Sequence, residues 1–292
     1  MPKEKRREPN VPELSPVITK EIEEKQVEER VAIGAHIVYE TIRREGDDEL
    51  GRSTSALAWS GLAAGLSMGF SLVAEGLLAA YLPDRPWSPL ISKFGYSIGF
   101  LIVVLGRQQL YTETTLTAVL PLLAQPSLRK AASVLRLWIV VSVANLLGTY
   151  LFALCIGRIH MFDSHIQETL IGVSRSSVGG SFWIEMLRAI FAGWLIALMV
   201  WLLPGAETSR VSIIVITTYL IGLGGFAHII AGSNKVFLLV VTGFESWGGY
   251  FTGFFVPTLI GNAIGGVSLV AFLGHAQVVS GKELAGSKPH RS

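Results

Sequence analysis

Gly106-Arg107-Gln108-Gln109-Leu110-Tyr111-Thr112-Glu113-Thr114-Thr115 cuts through an otherwise apolar run. Gly225-Phe226-Ala227-His228-Ile229-Ile230-Ala231-Gly232-Ser233-Asn234-Lys235 does the same a little over a hundred residues later. A backbone break or an ionisable side chain in hydrocarbon survives only against protein or a water-lined cavity. A matched pair of interrupted hydrophobic segments, one in each half of a chain, marks a solute site near the membrane midplane of a transporter or channel.

Composition agrees. Of 292 residues, 50% are hydrophobic, 16% are charged and 31 are glycine, and the mean hydropathy is +0.50. A soluble chain carries about a quarter charged residues. Residues 1–52 hold ten Lys/Arg and thirteen Asp/Glu, against fourteen and nine in the remaining 240. The expected organisation is a charged N-terminal extension over 1–52, a membrane domain over 53–275 and a polar tail over 276–292. The charged N-terminus argues against a cleavable signal peptide. The single cysteine, Cys155, excludes an intrachain disulfide and, lying in an apolar run, reads as a buried, unreactive thiol.

Six stretches are long and apolar enough to span a bilayer: about 55–82, 94–124, 131–157, 181–203, 210–241 and 247–273. The second and fifth contain the interruptions. Trp59, Trp87, Trp183, Trp201 and Trp247 lie near span ends, as an aromatic belt requires. One side receives Arg43, Arg44, Arg52, Arg129, Lys130, Arg136, Arg210 and the tail cations; the other receives Arg85, Lys93, Arg158, Arg175 and Arg188. This bias puts both termini in the cytoplasm. Asn145-Leu146-Leu147-Gly148 in the third span recurs as Asn262-Ala263-Ile264-Gly265 in the sixth, 117 residues later. Two halves of three spans each must enter from opposite sides, an inverted repeat. Gly61, Gly65 and Gly69, and Gly261, Gly265 and Gly266, have spacing suited to close helix crossing, within one protomer or at an oligomer contact.

Several segments resemble the formate/nitrite transporter family. Ser60-Gly61-Leu62-Ala63-Ala64-Gly65 is similar to its Gly/Ala-rich opening helix, and Gln109-Leu110-Tyr111-Thr112 to its acidic-Leu-Phe-Thr motif. Ser181 through Arg188 to Trp194–Trp201 follows its fourth span. Gly225-Phe226-Ala227-His228 and Gly261-Asn262-Ala263-Ile264-Gly265-Gly266 follow its fifth and sixth. The resemblance, in order over about 55–273, implies an aquaporin-like protomer, a homopentamer with one pore per protomer, and transport of small monovalent anions such as formate or nitrite. This chain also departs from the family pattern. Gln109 and Ala227 stand where the family has acidic residues, Arg107 where it has a small one, and Gly232 and Gly193 where it has asparagines. The family's pore-side lysine falls near Ser177, which leaves Arg175 as the nearest cation.

A bare anion in a low-dielectric pore faces a Born cost of order 20 kcal/mol. It must be met by fixed positive charge and exposed N–H groups, or removed by protonation to the neutral acid. Half-helix N-termini supply the first, and a histidine, with an unperturbed pKa of about 6.5, supplies the second. The expected pore set is His228 as central donor, Thr112 as its partner, Leu110, Tyr111 and Phe226 as apolar constrictions, and Asn262, Gly232 and Arg175 on the path. His228 otherwise serves only the backbone freed by the break. Glu113 is expected to pair with Arg107 or Lys235, to turn selectivity toward neutral or cationic solutes, or simply to cap its half-helix. Arg107 and Arg188 are expected to snorkel or brace loops, and Glu75 to face a vestibule or a neighbouring subunit.

His160 and His165 lie with Asp163 and Glu168 in a stretch that reads as solvated loop rather than metal site. Residues 16–46 carry Ile18, Ile22, Val27, Val31, Val38 and Ile42 at roughly helical spacing, an amphipathic helix packing beneath the bundle or on another protomer. No catalytic set, metal site, cofactor or nucleic-acid partner is expected; the partners are the bilayer and a small anion or weak acid. The rival readings are a neutral-solute pore on the same architecture and a non-transporting membrane scaffold or sensor. The expected location is the plasma (inner) membrane.

Overall fold

A computed structural model describes residues 34–159 and 161–271. His160, the first half of the amphipathic stretch with Ile18, Ile22, Val27 and Val31, and the 276–292 tail lie outside the described residues.

The described chain is all-helical. A leading helix α1 (Ala35–Gly51) precedes the first span α2 (Thr54–Tyr81). The second span is split into α3 (Ser88–Leu105), which contains a 3₁₀ turn at Lys93–Tyr96, and the short pair α4 (Tyr111–Thr117) and α5 (Val119–Ala124). Then follow α6 (Leu128–Arg158), the connecting helix α7 (Ser164–Arg175) and α8 (Phe182–Leu202). The fifth span is split into α9 (Arg210–Gly224) and α10 (Ile229–Val241), bent by 47°. The sixth is α11 (Trp247–Ser268). Ser53, Ser127, Asp163 and Ser181 each accept a backbone N–H at the start of their helix, satisfying one of the donors that a helix start leaves free.

The distribution of side chains is inverted relative to a soluble protein. Trp59, Phe70, Leu135, Ile139, Val143 and Ile216 face outward, while Glu75, Thr112, Asn145, His228, Asn234, Lys235 and Asn262 are buried. Lipid accepts the first set and the protein interior must satisfy the second. Cys155, expected to be buried, is exposed on the protomer surface. Its run is apolar because that face of α6 meets lipid or another subunit, not because it forms core.

Glycine sets the helix crossings. A Cβ at Gly65 would collide with the backbone of Asn145, and one at Gly148 with that of Leu62. The second half repeats the arrangement: Gly193 lies on the backbone of Asn262, and Gly265 on that of Ile190. The pairs α2/α6 and α8/α11 therefore cross in the same way, each through a small residue on both helices. Gly193, a departure from the family pattern, has a packing reason here.

The two breaks are also built alike. Gln108 N–H donates to Val103 C=O (3.0 Å) and Phe226 N–H to Ile221 C=O (3.0 Å), the stop bond of a Schellman motif. The left-handed residue that the motif needs is Gly225 (φ 61°) in one half and Arg107 (φ 49°) in the other. The freed backbone is then held by an asparagine from the following span. Asn145 Oδ1 accepts Tyr111 N–H, and its Nδ2 donates to Gly61 and Gln109 carbonyls. Asn262 Oδ1 accepts Ile229 N–H, and its Nδ2 donates to Ala189 and Ala227 carbonyls. The four-residue echo is thus a pair of equivalent clamps, and the architecture is an aquaporin-like inverted repeat with its second and fifth helices broken.

The sixth span winds as a π-helix at Tyr250–Phe255 before becoming α-helical at Val256. Pro257 lies at that transition and has no N–H to give the preceding turn. The wider winding places Phe254 against Gly232, where a Cβ would collide with its ring.

Candidate pore and vestibule

The central contact joins the two halves. His228 caps α10: its Nδ1 accepts Ala231 N–H at 3.2 Å, and its Nε2 lies 2.8 Å from Thr112 Oγ1 at the start of α4. A neutral imidazole carries one proton. With Nδ1 accepting, the hydrogen-bond network assigns that proton to Nε2, which donates to Thr112. The Thr112 hydroxyl hydrogen then remains to donate elsewhere. Phe100 stands edge-on to the imidazole, with ring centroids 4.9 Å apart. His228 is 1% and Thr112 0% exposed, so this pair is dry except where the cavity reaches it.

That cavity, of about 40 Å³, is lined by His228, Phe226, Gly232, Phe254, Lys235 and Lys93, among others. Phe226 stacks on Phe191 at 5.6 Å between centroids. Leu110 takes in the first half the place that His228 takes in the second. It is fully buried and does not line the cavity. Tyr111 turns edge-on to Trp138, whose Nε1–H donates to the Thr114 carbonyl. Asn262 uses its amide on the break, and Arg175 lies over the Phe244 ring at 4.7 Å; neither lines the cavity.

The cations at the cavity are instead Lys93, Lys235 and Arg188. Arg188 pairs with Glu185 at 3.7 Å. Lys235 pairs with Glu75 at 2.8 Å, which leaves none of the pairings expected for Glu113 among the described ion pairs. Glu113 sits in the first turn of α4, where a carboxylate complements the helix dipole, and its Oε1 has no hydrogen-bond partner. Glu75, expected at a vestibule or a subunit contact, is 1% exposed and lies behind the two lysines. Position along the chain could not indicate the grouping of 75, 93 and 235; the signal was a charge inside the first and fifth apolar segments, while Lys93 counted only as a loop cation before the second.

On the other side of the break, α1 buries Val38, Tyr39 and Ile42 in a cluster with Leu116, Val119, Leu120, Ala197 and Val200. Its last turn places Glu49 where Gln109 Nε2 donates at 3.1 Å and Thr117 Oγ1 at 2.5 Å. Burial raises the Glu49 carboxyl above the usual range, against those two hydrogen bonds, which lower it.

The formate/nitrite transporter family model matches residues 36–276. The chain is 39% identical to the inner membrane protein YfdC of Escherichia coli (strain K12) over 251 residues, covering 86% of this chain and 81% of that protein. It is 26% identical to the formate channel BtFdhC of Bacillus thuringiensis, covering 80% of this chain and 92% of that one. Among solved structures it is similar to a pentameric formate channel with formate bound, at a TM-score of 0.63 and 18% identity, covering 80% of this chain and 98% of that chain.

Proposed function

Because the chain belongs to the formate/nitrite transporter family, we propose that it is a membrane channel for a small monovalent anion of the formate or nitrite kind, or its conjugate acid, assembled as a homopentamer. The observation that carries the reading is the His228–Thr112 contact, set where the starts of α4 and α10 converge and open to a cavity with cations on its wall. Both half-helices present their positive ends there. A cavity of about 40 Å³ has room for a few waters, and so for a small oxyanion rather than a sugar.

The mechanism follows from the tautomer. Nε2–H donates to Thr112, and Thr112 O–H donates to the permeating oxyanion. This relay stabilises the anion without moving a proton. Full transfer to the anion, with Nε2 resupplying Thr112, would leave an imidazolate unless Nδ1 first took up a proton. That uptake requires Ala231 N–H to release Nδ1, so proton-linked transport is tied to loosening the first turn of α10. The Lys/Arg bias, with α1 on the same face as the 125–127 and 203–209 connections, supports cytoplasmic termini, and the apolar spans support a place in the plasma membrane.

The test is stopped-flow uptake of formate and nitrite into proteoliposomes of the purified protein, with empty liposomes as reference. Expected are saturable flux that rises as external pH falls, and loss of at least tenfold in His228→Ala, the scale of one charge-assisted hydrogen bond. Equal flux and an unchanged pH response in that variant would falsify the relay. A neutral-solute pore is the second reading, favoured by the Glu113 carboxylate beside the break. Glycerol flux exceeding formate flux in the same vesicles would select it.

A further inference from the structure

Three charges from distant parts of the chain meet on the cavity side of His228. Glu75 comes from α2, Lys93 from the 3₁₀ turn of α3, and Lys235 from α10. Glu75 Oε1 lies 2.5 Å from Lys93 Nζ, and Oε2 lies 2.8 Å from Lys235 Nζ. The second contact is an ion pair off the line of a well-formed hydrogen bond. Lys235 is seven residues beyond His228, about two helical turns or roughly 10 Å, and so on the same face of α10.

The balance of charge is uneven. Two ammonium groups share one carboxylate, so the cluster carries a formal excess of one positive charge. Lys235 is 5% and Glu75 1% exposed, and a buried unbalanced charge is costly unless something compensates it. Lys93 and Lys235 line the cavity while Glu75 does not. An ammonium has three N–H donors. Among the described residues, the contacts of Lys235 Nζ are Glu75 and the face of Tyr96, at 5.4 Å from the ring centroid. Arg188, on the same wall, has its charge balanced by Glu185 at 3.7 Å. The wall thus offers an unused donor and an uncompensated charge to whatever occupies the cavity.

We propose that Lys235 and Lys93 form a holding site for a small monovalent oxyanion, a carboxylate or nitrite, one step before His228, with Glu75 as the built-in competitor that sets how long it stays. This rests on the anion-channel reading. Glu75 keeps the lysines charged and placed when the site is empty of anion. An arriving anion shares their N–H donors with Glu75, so binding is weaker than two free lysines would give and release toward His228 is faster.

The two partners therefore act in opposite directions, which a merely structural ion pair would not do. In proteoliposome flux, Lys235→Met raises the half-saturating formate or nitrite concentration about tenfold, the scale of one charged hydrogen bond. Glu75→Gln lowers it and also lowers the maximal rate. Thermal stabilisation of the detergent-purified oligomer by sodium formate or sodium nitrite, against sodium gluconate, shifts in the same directions. A paired Glu75→Leu/Lys235→Met variant removes both charges together, which folds better than removing one, and reproduces the Lys235→Met weakening. Unchanged affinity in Lys235→Met overturns the site, as do single variants that weaken equally while the pair behaves as wild type. If the wild type moves neither anion, the channel reading fails. Anion stabilisation that is still lost in Lys235→Met then supports the site, and absence of any stabilisation overturns it.

Discussion

Arg107 holds a left-handed backbone at φ 49°, where its counterpart in the other half is glycine. A side chain in that region costs about 1–2 kcal/mol relative to the right-handed well, while glycine adopts it without a steric penalty. Arg107 is exposed and appears in none of the described ion pairs, so nothing visible repays the strain. Arg107→Gly is expected to raise the stability of the protomer by roughly 1 kcal/mol, read as an increase in thermal unfolding temperature in detergent. The break itself was legible because polar residues stood in an apolar run. The strain was not, because the need for a positive φ arises only once the Schellman stop is formed. Lys235 was legible as a charge at the second break but not as the partner of Glu75, since three segments must first pack together. Arg175, the cation nearest in the chain to the family's lysine position, lies over Phe244 instead.

At the scale of elements, the decisive pieces are the asparagines that tie each break to the next span. Asn145 makes three hydrogen bonds with no exposed surface. Replacing it by alanine orphans Tyr111 N–H and the Gln109 carbonyl, a loss of about 2 kcal/mol or more. Asn145→Ala and Asn262→Ala should each lower the thermal midpoint clearly, and Asn145→Ala should spare the Ala231–His228 cap. The repeat of these asparagines was visible as an echo; their task required the breaks to be seen in three dimensions. Helix α1 carries its own prediction. Burial raises the Glu49 carboxyl, so its protonated form is favoured in the docked helix. The stabilisation is full below the unfolded value of about 4.3 and is lost as pH rises through the raised value. Hydrogen exchange over Ala35–Gly51 should therefore slow as pH falls toward 5, after correction for intrinsic rates. Glu49→Gln should remove that dependence; an identical pH profile in the variant would discard the assignment.

Across the whole molecule, a symmetric frame carries asymmetric chemistry. Crossings, stops and clamps repeat, whereas Leu110 stands where the other half has His228, Gln109 where it has Ala227, and Thr117 where it has Lys235. Each of these last two meets a carboxylate, Glu49 and Glu75 respectively. The proposed pore groups therefore fall at the few positions where the halves disagree, which internal similarity cannot reveal. The family relationship and the outward apolar faces lead us to expect five protomers per particle in native mass spectrometry. The clamps also set an order of events during synthesis. Each asparagine is translated a few dozen residues after the break it closes, so the first gap is sealed once the third span emerges and the second only when the sixth does. The bond between Thr112 and His228 spans both units and must wait for both. A nascent chain halted after residue 158 is then a finished half-frame without that central contact, which becomes available only when the last helix has left the ribosome.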